Sequence, residues 1–170
     1  MIAFFIVSLL VILAYVGGIV WRYGVPASIS ESYYLLPKNL GKPLFYGFCV
    51  LTALPLMIYW FDITKDQPDQ FLVFLACVPL AFVGVSGAFK EGGPTARMHF
   101  LSASLCAVFS QIWIALHGWF WIGSVALLVI ALVLSRLLTG VDHTGRRVSP
   151  WLFFVEIAAF LAIYIAVLFN

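Results

Sequence analysis

A chain of 170 residues that is 64% hydrophobic and 9% charged, with a mean hydropathy of +1.10, lies far from soluble domains, where charged residues make up about a quarter. At roughly 20 residues per membrane-spanning helix, this length holds about six spans with short links and leaves no room for a soluble domain. The formal net charge of +2 gives no support to nucleic-acid binding, because in a membrane protein the placement of charges informs more than their sum.

Apolar runs bounded by charges and Gly/Pro clusters predict spans at about 2–21, 43–61, 70–89, 98–117, 119–138 and 150–169. The expected fold is all-α, a single polytopic bundle of six transmembrane helices over residues 1–170. The first run, Met1 to Val20, has no basic n-region and no small-residue cleavage site before Trp21 and Arg22, so it reads as a span rather than a signal peptide. Cys49, Cys77 and Cys106 each fall inside an apolar run without a C-x-x-C spacing and read as buried thiols.

After the first span comes the longest polar interruption, Gly24 to Lys42. Ser28 and Glu31 have the S-x-x-E spacing of a capping box, in which hydroxyl and carboxylate satisfy free amides at a helix start. A short helix should follow and stop at Pro37. Its apolar positions Ile29, Tyr33 and Leu36 share one face, which would lie in the interface or dip into the bundle mouth. Ser30, Glu31 and Tyr33 are therefore candidate ligand contacts.

Pro55 and Pro79 fall inside the second and third spans, where they should kink the helices. Gly84 and Gly87 supply small residues for close helix approach. His99 opens the fourth span, and Ala103, Cys106 and Ser110 follow on the same face, with Ser102 beside them. That stripe suits either helix packing or a ligand path. Gln111, off the stripe and deep in the span, needs an interhelical partner. Leu116 to Trp121 offers a tight turn around Gly118, flanked by aromatic anchors. Asp142 and His143 read as part of a turn in a solvated basic patch. Glu156 is the one acid well inside a span, roughly 6–9 Å from its end at 1.5 Å per residue. Its expected partners are Arg136 or His99, and all three join the candidate ligand contacts with Ser102.

Lys and Arg concentrate in the first, third and fifth loops: Arg22, Lys38 and Lys42; Lys90 and Arg97; Arg136, Arg146 and Arg147. The positive-inside rule then places these loops in the cytoplasm of a cell with both termini outside, as in a bacterial inner membrane. Most polar groups converge on that side. His99, His117 and His143 show no metal-ligand spacing, and no catalytic motif or phosphate loop is present, so neither metal nor cofactor is implied.

Pro26, Ile29, Ser30 and Glu31 form a P-x-x-I-S-E loop, one residue longer than a P-x-I-S-[DE] loop, and His99 and Ala103 match an H-x-x-x-A motif. In these motifs and in its layout the chain resembles six-span DRAM/FRAG-type integral membrane proteins, which include GPI-anchor remodelling and autophagy-modulating members. The resemblance implies a first loop facing the lumen or exterior, whereas the charges of this chain place it inside. The layout is also similar to small membrane proteins of Bacteroidetes and their phages, which imply no function. The expected function is binding of a lipid, an amphipathic ligand or a partner helix at the polar mouth, with membrane lipids and a homo-oligomer or membrane-protein partner as associates. A small oligomeric channel or transporter, and a lipid hydrolase using His99 with Ser30 or Glu156, are the alternatives.

Overall fold

A computed structural model describes residues 1–170 apart from the side chain of residue 38. The helices are α1 (Ile2–Tyr23), α2 (Ser32–Leu35), α3 (Lys38–Ile63), α4 (Phe71–Val85), α5 (Gly93–Leu116), α6 (Phe120–Leu137) and α7 (Trp151–Phe169). A single 3-10 turn (Phe89–Glu91) precedes α5, and two short strands, β1 (Gly140–Val141) and β2 (Arg147–Val148), form a hairpin before α7. Five of the helices, α1, α3, α5, α6 and α7, are long and apolar enough to cross a membrane, as a membrane protein requires.

The expected span at 70–89 is the exception. α4 has 15 residues, about 22 Å at 1.5 Å per residue, short of a ~30 Å hydrocarbon core. It ends where the chain passes under two aromatic rings. A Cβ at Gly87 would lie 2.6 Å from the Tyr33 ring and 2.9 Å from that of Phe45, so only glycine fits the approach. Pro55 and Pro79 lie inside helices that continue past them. The hairpin turn expected between the fourth and fifth spans is present, with α5 ending at Leu116, α6 starting at Phe120 and Gly118 at φ +91°.

α1 packs on α3, α3 on α4, α4 on α5, and α5 touches α7. A hydrogen bond between the Ser8 and Tyr164 hydroxyls and the Phe5–Tyr164 ring pair (centroids 5.3 Å apart) bring α7 back to α1. These five helices form a ring. α6 lies outside it against α7 and buries only Ala131 and Ser135. Ser124 of α6 donates to Gln111 Oε1 at 2.5 Å, which gives the deep glutamine the partner it needs. Within the ring, Trp60 and Trp113 meet edge to face at 4.9 Å, both essentially inaccessible.

Candidate functional site

One end of the ring is closed by a polar cap built on the loop between α1 and α3. Ser28 Oγ accepts the Glu31 N–H (3.0 Å), and Ser32 Oγ donates to the Ile29 carbonyl (2.5 Å), which winds residues 28–35 into a tight turn leading into α2. Only half of the capping box forms. Instead of reaching back to its own helix start, the Glu31 carboxylate accepts from Lys90 Nζ (2.6 Å), the His143 backbone N–H (2.9 Å) and His143 Nδ1 (2.6 Å). At 3% exposure, Glu31 needs such partners, because a carboxylate taken from water and left unpaired is costly. The acid thereby ties the first loop to the 3-10 turn and to the hairpin loop.

Other bonds reinforce the same junction. Lys90 N–H donates to the Tyr34 hydroxyl (2.7 Å), and burial pushes that phenol above its ordinary pKa. Val141 N–H donates to the Val25 carbonyl (2.8 Å), and Phe153 N–H, free at the start of α7, donates to the Ala27 carbonyl (3.1 Å). The hairpin expected as a solvated turn is thus docked on the loop through β1, while its tip keeps a local turn in which Asp142 Oδ1 accepts from Thr144 N–H, Thr144 Oγ1 and Arg146 N–H.

Beneath the cap, His99 Nε2 lies 3.1 Å from Ser30 Oγ, and the imidazole stacks on Phe89 with centroids 4.4 Å apart. His99 is 3% exposed, and its Nδ1 has no hydrogen-bond partner. Glu156 Oε2 accepts the Ile29 N–H at 2.5 Å. Its partner is therefore the first loop's backbone, not His99 or Arg136. His99 pairs with Ser30, and Arg136 lines a separate shallow groove with Arg147, Ser149 and Trp151.

Below Ile29, Ser30 and Glu156 lies a cavity of about 130 Å³ between α3, α4, α5 and α7. Its walls are Phe45 to Trp60 of α3, Ala76 to Val83 of α4, Ala103 to Ser110 of α5 and Glu156 to Ile163 of α7, and the side chains facing it are almost all apolar. The stripe after His99 is part of this wall: Ala103, Cys106 and Ser110 all line it. All three cysteines do as well.

Four of the expected contacts, Ser30, Glu31, His99 and Glu156, meet in the cap. Tyr33 does not line the cavity but packs over Gly87, with its ring edge-on to Phe45 (6.1 Å). Ser102 is buried on α5 beside the wall without lining the cavity. Lys90, Phe89 and Trp60 were not among the expected contacts. For Lys90 the sequence signal is only its place in a charged loop, and for the aromatic pair there is none, since the apolar runs are full of aromatics. No protein-family model matches the chain, and no curated protein or solved structure does.

Proposed function

We propose that this chain is a polytopic cell-membrane protein that binds one lipid or other amphipathic molecule, with its apolar tail in the ring and its polar end at the cap. One observation carries this reading: a long apolar cavity whose single charged wall residue, among the described residues, is Glu156 at the cap end. Cavities of this order that are lined by apolar groups stay dry and accept small apolar molecules. An almost wholly apolar wall also favours a binder over a channel, whose path needs polar groups for the ion. In this reading α4 completes six crossings, the cap faces the cytoplasm as the loop charges require, and both termini lie outside.

Native mass spectrometry of the purified protein tests the reading. The wild type should carry a co-purified amphiphile, and Ala103→Leu, which fills the cavity wall, should lose it at least tenfold while the bundle keeps or gains thermal stability. A wild type without bound amphiphile, or an Ala103→Leu variant that retains it, contradicts the reading.

A second reading rests on Ser30 Oγ and His99 Nε2 at 3.1 Å beside the cavity, the arrangement of a nucleophile and its base. It predicts labelling by a serine-reactive alkyl phosphonate that disappears in Ser30→Ala.

A further inference from the structure

The polar end of the cavity is selective in sign. Glu156 Oε2 is occupied by the Ile29 N–H, whereas Oε1 makes no hydrogen bond within the described protein, and the residue is partly accessible where it lines the cavity. No lysine or arginine lines the cavity among the described residues. The cation of the cap, Lys90, is engaged by Glu31, and Arg136 lines a different groove. Ser30 Oγ and His99 Nε2 bond each other, which leaves at most one neutral donor between them for a head group, and the Ser110 hydroxyl donates to the Ala107 carbonyl at 2.9 Å. The wall's unpaired donor, the Trp60 indole N–H, lies 15 residues along α3 from Phe45, about 22 Å at 1.5 Å per residue. It cannot serve a head group held at Glu156.

Resting on the binding reading above, we infer that the occupant is a single-chain amphiphile with a hydroxyl or amine head, paired with Glu156 Oε1, and that carboxylate- and phosphate-headed lipids are excluded. A hydroxyl can donate to the carboxylate or accept from the carboxylic acid, so it suits either form of Glu156. An ammonium suits the ionised form as a charge-assisted hydrogen bond. An anionic head suits neither form. Two carboxyl groups sharing one proton leave a net negative charge in an apolar site without a counterion, and the neutral, doubly protonated pair requires the head group to take up a proton, at about 1.4 kcal/mol for each pH unit above its pKa. A cavity of about 130 Å³ has no room for a second chain.

The test uses three photoreactive probes with the same short diazirine-bearing alkyl tail, of about six carbons to suit a cavity of about 130 Å³, and an amine, alcohol or carboxylate head, applied to the full chain in phosphatidylcholine nanodiscs. Cross-links are mapped by mass spectrometry to the wall segments Ala103–Ser110 and Glu156–Ile163. Amine and alcohol should label these segments about tenfold or more above the carboxylate, the factor expected from one hydrogen bond to a charged group. In Glu156→Gln, checked for folding by its unfolding temperature, amine labelling should fall to the carboxylate level while alcohol labelling persists. Equal labelling by all three heads in the wild type overturns the inference and leaves the binding reading standing. No labelling of either segment by any probe overturns both. If Glu156→Gln does not fold, the wild-type comparison decides.

Discussion

The two ends of the bundle use polar residues in opposite ways. At the end holding residues 64–70, most bonds are local: Thr64 Oγ1 donates to the Trp60 carbonyl, Gln70 to the Phe61 carbonyl, and His117 Nδ1 meets the Trp113 carbonyl four residues back. The His117–Gln67 contact (2.9 Å) with its neighbour Asp69 crosses between turns, and deeper in the same half Ser8 joins α1 to the Tyr164 hydroxyl and the Thr52 carbonyl. At the cap end the bonds join residues far apart in the chain: Ser30 to His99, Glu31 to Lys90 and His143, Glu156 to Ile29. Local bonds finish individual helices. The distant ones hold three loops as one layer, and the cavity lies under that layer, so the elaborated end is the end with something to cover.

The contrast breaks most visibly at Glu31. Glu31→Ala leaves Lys90 and His143 without their shared acceptor. The loss should be about 2–4 kcal/mol, at or below the usual figure for breaking a buried pair because Lys90 is a third exposed. Gln67→Ala at the opposite end, removing one bond of partly buried groups, should cost about 1 kcal/mol or less. Thermal unfolding of both variants in nanodiscs measures the difference, and equal losses would mean that the cap is no more integrated than the far turn.

A smaller effect is expected from Gly87→Ala, whose added methyl would press on the Tyr33 and Phe45 rings, at about 1–3 kcal/mol. Gly123→Ala in α6, where nothing lies within 4 Å, should be neutral or stabilising. The pair of unfolding temperatures separates a glycine required by close approach from one that is not.

Ser28→Ala removes the acceptor of the Glu31 amide and should cost about 0.5–2 kcal/mol, confined to the cap. Faster hydrogen exchange at residues 31–35 with an unchanged core would show this. Uniformly faster exchange would make the cap inseparable from the bundle.

The smallest effect concerns the hairpin tip. The Thr144 hydroxyl, aided by the Arg146 and Thr144 amides, holds the Asp142 carboxyl below its ordinary pKa. A group whose folded pKa is depressed contributes stability above its unfolded pKa, near 3.9, and loses it as pH falls through the folded value. Exchange protection of the 141–147 amides should therefore be full at neutral pH and fall only below about pH 4, with Thr144→Val moving the loss to higher pH. A pH-independent tip would contradict the assignment.

Much of the bundle was legible in hydropathy, because long apolar helices leave a length signal: the expected 119–138 and 150–169 correspond to α6 and α7 within a residue. Hydropathy overextended α4, since residues 86–89 are small or apolar and the reason to stop, two rings above Gly87, comes from another part of the chain. It started α3 late, because Lys38, Asn39 and Lys42 are polar yet helical. Within the site, the three- and four-residue spacing after His99 located a real wall of the cavity. The partner of Glu156 was not legible, since a backbone amide at Ile29 has no sequence label, and neither were those of Glu31, 59 and 112 residues away.

The most direct test of the cap-and-cavity account is a high-resolution experimental map of the full chain in lipid nanodiscs. The account predicts one continuous, chain-like density between α3, α4, α5 and α7, with its polar end within hydrogen-bonding distance of Glu156 beneath Ile29 and Ser30. A collapsed cavity with Trp60 and Glu156 packed on protein atoms, or a water-filled path running past Glu156 to both ends of the ring, would contradict it.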